Sequence, residues 1–258
     1  ITHITPLAQP GHFVSASIDG FLHLFSVVDA CFESLKIFKL HSAPVTDLAI
    51  SKSKRYFVTA SLDKTAKVFT AGTVEVLRVW RFEEVPEAVC IIDDPMVSAD
   101  VLVLVSFRDI HGLSVHKLSS EAKDDPEYVI DTNQTVILKM CFSEIHKRLF
   151  VFAEPNLLSL DIHTLLKEQA FTPLKTLELP GTPGALCLSN NEQMLAFTAS
   201  DHIIRIINTS NLKPIKRYDE TFMFYERLVE AGKMERLVLD TKWRVEVELQ
   251  RSPYAGCQ

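Results

Sequence analysis

Two stretches of this chain, residues 1–26 and 45–70, repeat one another 44 positions apart without a gap. The clearest match aligns residues 13–19 with 57–63, where five of seven positions are identical and the other two are conservative. Each copy then continues into a second strand-like segment. A repeat of about 40–45 residues built from short strands is typical of a β-propeller blade. The repeat therefore predicts an all-β architecture in which each copy is one blade.

The spacing of apolar segments extends this pattern along the chain. The first strands of successive blades are predicted to begin near Ile1, Val45, Ala88, Val136 and Ala185, at intervals of 44, 43, 48 and 49 residues. Short alternating or continuous apolar runs between turn residues fill each interval, as strands do. We predict a β-propeller of four-stranded blades, with five to six blades visible of an expected seven.

The pattern changes after residue 219. Residues 1–219 carry the predicted blades, whereas 220–258 is rich in aromatic residues and contains an alternating segment at 243–249. We interpret 220–258 as a degenerate last blade or a partner-facing extension. Because the chain starts within a blade, the sequence leaves the true blade count open. An incomplete set of blades exposes strand edges, which predicts closure by further sequence or by another subunit.

The residues that carry the repeat resemble the WD-repeat family, whose pattern is a His, an apolar strand, a Ser/Thr-x-Asp turn and a strand ending in Trp-Asp. Here His41 precedes the apolar strand at 45–50, the turn is Ser61-Leu62-Asp63, and Phe69 stands where the family has Trp. No copy contains a literal Trp-Asp, so the chain resembles a divergent member. The resemblance covers roughly residues 1–219 and implies a propeller that serves as a platform for partners.

The Ser-x-Asp turns predict a structural clamp in several blades. A buried carboxylate needs hydrogen-bond partners, and we expect Asp63 to accept from turn N–H groups and from His41, with Ser61 also reaching the imidazole. A His-Ser-Asp trio also suggests a hydrolase triad. However, no Gly-rich elbow surrounds the serine, and the repetition favours a scaffold, since an enzyme needs its site once. The full set of predicted clamp residues is His41, Ser61, Asp63, Ser17, Asp19 and Asp201.

Composition narrows the class of protein further. A net charge of −6 argues against general nucleic-acid affinity, and no apolar run approaches the ~20 residues that span a bilayer. Three of the five cysteines, Cys90, Cys141 and Cys187, fall in apolar strands, so we expect them at equivalent core positions as small hydrophobes. Their spacing suits a reducing compartment, the cytoplasm or the nucleus.

Basic residues cluster in the turns between the first and second strands of two blades. These turns carry Lys52, Lys54 and Arg55 in the second blade, and Lys147 and Arg148 in the fourth. Equivalent turns share one face of a propeller, so the five side chains are predicted to form one patch. They are either ordinary solvated turns or a partner-binding surface for an acidic protein segment or RNA phosphates.

The predicted function is that of a non-catalytic protein–protein interaction scaffold in a multi-subunit intracellular complex. We find no residue pattern for a catalytic site, a metal, a cofactor, a small-molecule substrate or a membrane. One alternative is a peptide-reading module at the central channel. Another follows from residues 41–48 and 59–68, which are similar to the WD-repeat subunit of the Rix pre-ribosome processing complex. That resemblance implies ribosome biogenesis in the nucleus, with RNA contacted through the basic turns.

Overall fold

The computed structural model describes residues 2–28, 31–120, 124–201 and 203–219, together with 227 and 230–232. These residues form five four-stranded antiparallel sheets, each made of strands consecutive in the chain. The fold is an all-β propeller with four-stranded blades, as the repeat predicts. The segment interpreted as a last blade or extension, 220–258, lies almost entirely outside the described residues.

Each blade is an up-and-down meander in which the first and last strands form the two edges of the sheet. Blades one and two consist of β1 (His3–Pro6), β2 (His12–Ala16), β3 (Phe21–Val28), β4 (Cys31–Lys39), β5 (Val45–Ile50), β6 (Tyr56–Ser61), β7 (Thr65–Thr70) and β8 (Val76–Arg81). Blades three and four consist of β9 (Pro86–Ile92), β10 (Leu102–Phe107), β11 (Gly112–Lys117), β12 (Tyr128–Asp131), β13 (Ile137–Ser143), β14 (Arg148–Ala153), β15 (Asn156–Asp161) and β16 (Pro173–Glu178). Blade five consists of β17 (Pro183–Leu188), β18 (Met194–Ala199), β19 (Ile203–Asn208) and β20 (Pro214–Asp219).

The two repeat copies are structurally equivalent down to one aromatic pair. Phe13 lies opposite Phe25 in blade one, and Phe57 lies opposite Phe69 in blade two. Both pairs are stacked, with ring centroids 5.5 Å and 4.8 Å apart. Such cross-strand aromatic pairs stabilise a sheet, and here they fix the same register in both copies.

Three apolar clusters join blades one to four pairwise. Strand β10 shows how: Val103 and Val105 pack with residues of blade two, whereas Leu102 and Leu104 pack with residues of blade four. Both faces of such a strand are buried, which is why the middle strands are continuous apolar runs in the sequence. The cluster between blades one and two contains Phe57 and Phe69 of blade two with Val14, Ala16 and Leu22 of blade one.

The three cysteines do not share one environment, which corrects the prediction of equivalent core positions. Cys90 in β9 is buried, Cys141 in β13 is half-buried and Cys187 in β17 is exposed. Burial, with a smaller contribution from the charge of Asp47, raises the pKa of Cys90 to about 12. Cys90 therefore behaves as a core hydrophobe, whereas Cys187 presents its thiol to solvent.

One helix interrupts the strands, and the sequence pattern did not predict it. Helix α1 (Ile162–Glu168) joins β15 to β16 and buries Ile162 and Leu165. Asp161 caps its first turn, since its carboxylate accepts the Thr164 N–H at 2.8 Å. No helix among the described residues is long and apolar enough to cross a membrane.

The chain divides into two compact units, residues 1–177 and 178–258. The first unit holds blades one to four and all three apolar clusters. The second holds blade five and the segment after it. The domain boundary predicted after residue 219 stays a prediction, because 220–226 lies outside the described residues.

Candidate functional site

The Ser-x-Asp turn of blade two holds a buried histidine against a carboxylate. Nδ1 of His41 lies 2.9 Å from Oδ2 of Asp63, which also accepts the Ser42 N–H at 3.1 Å. The other carboxylate oxygen accepts the N–H and the hydroxyl of Thr65, at 3.1 Å and 2.6 Å. Burial alone would raise the pKa of Asp63, but hydrogen bonds from His41 and Thr65 outweigh it and hold the pKa well below its ordinary value.

The second imidazole nitrogen contacts a residue outside the predicted clamp. Nε2 of His41 lies 2.8 Å from Oγ1 of the buried Thr59. Because the carboxylate can only accept, Nδ1 carries a proton, and Nε2 forms its hydrogen bond with the Thr59 hydroxyl. The contact expected of Ser61 is different: its Oγ donates to the carbonyls of Ala43 and Pro44 at 3.1 Å and 2.9 Å. Thr59 was identifiable in principle, because residues two apart in a strand share a face.

The corresponding turns of blades one and five have other partners. Asp19 is exposed and accepts the Phe21 N–H at 3.1 Å, a local turn bond that, with the Ser17 hydroxyl, lowers its pKa. Asp201 pairs with Arg205 four residues later, at 3.0 Å for one nitrogen. Both aspartates anchor their own turns, and the histidine-bearing arrangement of Asp63 is not reproduced by either. The three turns therefore share the hydrogen bonds within the turn, but among the described residues the contact with a histidine occurs in blade two and not in blades one and five.

The basic turn of blade two bonds to both neighbouring blades. Nζ of Lys54 donates to the carbonyl of Leu7 in blade one at 3.3 Å. The guanidinium of Arg55 forms a two-pronged pair with Asp93 of blade three, at 2.7 Å and 3.2 Å. Ser53 adds a hydrogen bond to the same carboxylate. These bonds place the turn at 51–55 beside the corresponding segments of its neighbours.

The basic turn of blade four is tied to the same segment of blade three. Lys147 forms an ion pair with Asp94, the residue after the partner of Arg55. The two predicted halves of the patch therefore meet at Asp93 and Asp94, which the sequence analysis did not include. In each pair the carboxylate is buried and the cation is more exposed: 61% for Arg55 over 5% for Asp93, and 28% for Lys147 over 6% for Asp94. Lys52 is exposed, and Arg148 begins β14 half-buried.

A third polar cluster lies on the first strands of blades one, two and four. Oδ1 of Asp47 is 2.7 Å from Nζ of Lys139 and 3.1 Å from Nε2 of His3, while its Oδ2 accepts the Val89 N–H at 2.9 Å. Lys139 also contacts His3 at 2.8 Å. Burial would raise the pKa of Asp47, but hydrogen bonding to His3 and the charge of Lys139 lower it. This cluster could have been predicted from the sequence, because it places a charged residue in the middle of an apolar first strand.

A family model described as "WD domain, G-beta repeat" matches residues 32–70, which contain the clamp of blade two. The match falls on four-stranded blades of the expected topology. Residues 32–70 therefore match a WD repeat, and they lie within a β-propeller of four-stranded blades. The WD-repeat pattern of His41 and Asp63 is thus read directly in the structure, with Phe69 in the position of the family's Trp.

Two relatives of this chain are named as peptidyl-prolyl cis-trans isomerases. It is 23% identical over 264 positions to peptidyl-prolyl cis-trans isomerase cyp15 of Rhizopus delemar, covering 94% of this chain and 40% of the relative. It is 25% identical over 98 residues to peptidyl-prolyl cis-trans isomerase 9 of Schizosaccharomyces pombe, covering 38% of this chain and 16% of the relative. The chain spans less than half the length of either relative.

The polar clusters of the WD-repeat blades do not combine into a reactive centre in the part of the chain that the structure describes. Ser61 points its hydroxyl at two carbonyls and lies apart from the imidazole nitrogens, so the trio lacks the nucleophile–base bond of a hydrolase. No group of three or more His, Cys, Asp or Glu side chains in that part is placed to hold a metal ion. The clamp instead holds the turn of blade two, and the other two clusters bind turns and strands of different blades to one another.

Proposed function

We propose that this protein is a non-catalytic scaffold that binds other proteins within a multi-subunit assembly. WD-repeat propellers commonly act as protein-interaction scaffolds, so the fold supports the class. The observation that carries the proposal is the face formed by the turns of blades two to four. There Arg55 is well exposed above a buried carboxylate, and Lys52 is exposed beside it.

This arrangement indicates that the exposed positive charge serves to bind a partner more than to stabilise the fold. Because the Arg55 side chain is 61% exposed, water screens its charge and weakens what its pairing with Asp93 contributes to folding. A cation held in place by a buried carboxylate has already lost conformational freedom, which lowers the cost of binding a partner through it. We therefore expect an acidic protein surface to bind at these turns.

The test is native affinity purification of the tagged protein, with and without nuclease, compared with two charge-reversal variants. Arg55→Glu should reduce recovery of protein partners by about tenfold, as loss of a central charged anchor does. Arg108→Glu is the matched control: this arginine is 51% exposed and also paired with a carboxylate, Glu87, but lies in another turn. Equal recovery with both variants would contradict the role of the turn face.

Nuclease treatment separates the RNA alternative from the scaffold. Exposed cations also suit phosphate groups, and this favours the ribosome-biogenesis alternative implied by the Rix resemblance. Partners that survive nuclease support a direct protein scaffold. Partners that are all lost with the RNA would instead support RNA contact through the basic turns. The central-channel alternative is less favoured, because Asp47 and Lys139 on first strands already pair with each other.

The names of the two relatives motivate a second candidate, a link to prolyl isomerisation. The proposal of a non-catalytic scaffold predicts that the 258-residue chain does not accelerate cis–trans exchange in a proline-containing test peptide. Acceleration above the uncatalysed rate by this chain alone would contradict the non-catalytic assignment. Recovery of an isomerase among the nuclease-resistant partners would fit a scaffold that positions such an enzyme.

A further inference from the structure

Two of the most exposed apolar side chains in the described residues lie on the turn face of blades three and four. Met96 is 76% exposed in the segment between β9 and β10, and Ile145 is 64% exposed in the turn between β13 and β14. Exposed apolar residues are unremarkable when scattered singly. These two, however, occupy equivalent turns of adjacent blades.

One carboxylate connects the two turns. Oδ1 of Asp94 accepts the Met96 N–H at 2.9 Å, and Oδ2 pairs with the ammonium group of Lys147. Ile145 lies two residues before Lys147 in the same short turn. Asp94 therefore connects the backbone at Met96 to the turn that carries Ile145, so the two exposed side chains belong to turns that are bonded to each other.

The cations near these side chains are more exposed than the carboxylates with which they pair. The side chains of Arg55 and Lys147 are 61% and 28% exposed, whereas those of Asp93 and Asp94 are 5% and 6% exposed. Lys52 is exposed in the neighbouring turn. The chain as a whole carries a net charge of −6, so this surface differs from the average of the molecule. A binding partner would encounter two apolar contacts bordered by cations.

We propose that the turns at 51–55, 93–98 and 144–147 form a docking surface for an acidic protein segment, which places apolar side chains on Met96 and Ile145. The inference rests on the proposed scaffold function and names its partner class. Complementary charge selects the acidic segment, while the unbranched, polarizable side chain of Met96 adapts to different apolar groups.

The same surface suits single-stranded RNA less well. Binding of RNA bases relies on stacking on exposed aromatic rings. The aromatic residue within reach of the turn at 51–55 is Tyr56, and the guanidinium of Arg55 already covers its ring at 5.4 Å from the centroid. Apolar anchors such as Met96 and Ile145 match protein side chains better than bases.

The test measures binding of synthetic fluorescent peptides to the whole 258-residue protein by anisotropy. One peptide series combines Asp and Glu with two Leu residues at separations of two to six positions. A second series has the same charges with Ser in place of Leu, and a uridine oligonucleotide is the third probe. We expect one or more Leu-bearing peptides to bind at least about tenfold more tightly than the Ser series.

Two double variants identify the surface. Met96→Ser with Ile145→Ser should weaken the best Leu-bearing peptide by about tenfold while leaving both ion pairs intact. Ile110→Ser with Val129→Ser is the matched control, because these residues of blade three are 46% and 54% exposed at other positions. The control should bind as the wild type does. All three proteins should give the same thermal melting curve, which shows that they are folded.

Three results would overturn the inference: equal binding of the Leu and Ser series, equal loss in both double variants, or tighter binding of the oligonucleotide than of any peptide. The native purification separates this failure from failure of the scaffold function. If Met96→Ser with Ile145→Ser retains all nuclease-resistant partners, the docking surface is wrong although the scaffold stands. If the wild type retains no protein partner, the scaffold function itself is wrong.

Discussion

At the scale of single residues, identical motifs acquire different roles from their surroundings. Asp19 and Asp63 occupy the same position in the two repeat copies. The Asp63 side chain is 9% exposed and is hydrogen-bonded to the imidazole of His41. Asp19 is exposed and accepts a hydrogen bond from a backbone N–H two residues away. The cost of losing a carboxylate depends on the buried donors it leaves unpaired, so the two positions should respond differently to the same substitution.

We predict that Asp63→Ala lowers the free energy of unfolding by about 1–3 kcal/mol, because the imidazole of His41 and the N–H groups of Ser42 and Thr65 lose their acceptor. Asp19→Ala should leave the urea midpoint unchanged, since solvent replaces the lost bond. Urea denaturation followed by tryptophan fluorescence measures both. Equal losses in the two variants would show that the buried histidine adds nothing to the turn.

At the scale of secondary-structure elements, a buried histidine joins strands of blades two and three. His116 in β11 is 1% exposed and lies 5.0 Å from the ring of Trp80 in β8 and 5.5 Å from that of Phe82. Its Nε2 bonds the Ser114 hydroxyl at 3.0 Å. Burial, assisted by the charge of Arg78 and opposed by that of Asp124, lowers the pKa of His116 to about 4.

This pKa makes the contact between the two blades sensitive to acid. The folded state keeps His116 neutral down to about pH 4, whereas the unfolded chain takes up the proton near the ordinary value of 6.5. The contribution to stability is therefore full above pH 6.5 and is lost as the pH falls from 6.5 to 4, by roughly 3 kcal/mol in total. Phenylalanine keeps the ring contacts and does not titrate.

We predict that His116→Phe flattens the pH dependence of the free energy of unfolding between pH 6.5 and 4. The control is His111→Phe, a change at an exposed histidine five residues earlier, which should preserve the wild-type slope. Urea unfolding at half-unit pH steps measures the slope for each protein. A wild-type slope in His116→Phe would mean that other groups account for the acid sensitivity.

At the scale of the whole molecule, the buried apolar clusters lie in the first compact unit. They draw on blades one to four, and blade five contributes to none of the three. The burial of the first strand differs between blades of the two units. All but one residue of β9 is buried, whereas every residue of β17 whose burial is described is exposed or half-buried. The two units should therefore differ in how easily their strands open to solvent.

We predict that Cys187 reacts with iodoacetamide in native protein and that Cys90 reacts only after unfolding. Cys90 is 3% exposed, and its pKa is raised to about 12, so it forms little thiolate; Cys187 is exposed in β17. Peptide mass spectrometry across a urea series measures both thiols in one sample. Native labelling of Cys90 at the rate of Cys187 would contradict the buried position of β9.

The sequence alone determined the blade architecture and the position of its turns. The 44-residue repeat, the continuous apolar strands and the Ser-x-Asp turns are local features, and a strand such as β10 is apolar throughout because both of its faces are buried. The His41–Asp63 pair followed from the same pattern. Helix α1 did not, because seven residues are too few to show a helical period against strands of similar length.

Tertiary structure decided what each polar group contacts. Arg55 and Lys147 meet Asp93 and Asp94 from other blades, and Lys139 reaches Asp47, which is 92 residues away in the chain. Thr59 rather than Ser61 bonds the imidazole, since the Ser61 hydroxyl is used by the carbonyls of Ala43 and Pro44. Such contacts depend on how neighbouring blades are placed against each other. That placement arises from the packing of whole sheets, which no local sequence pattern records.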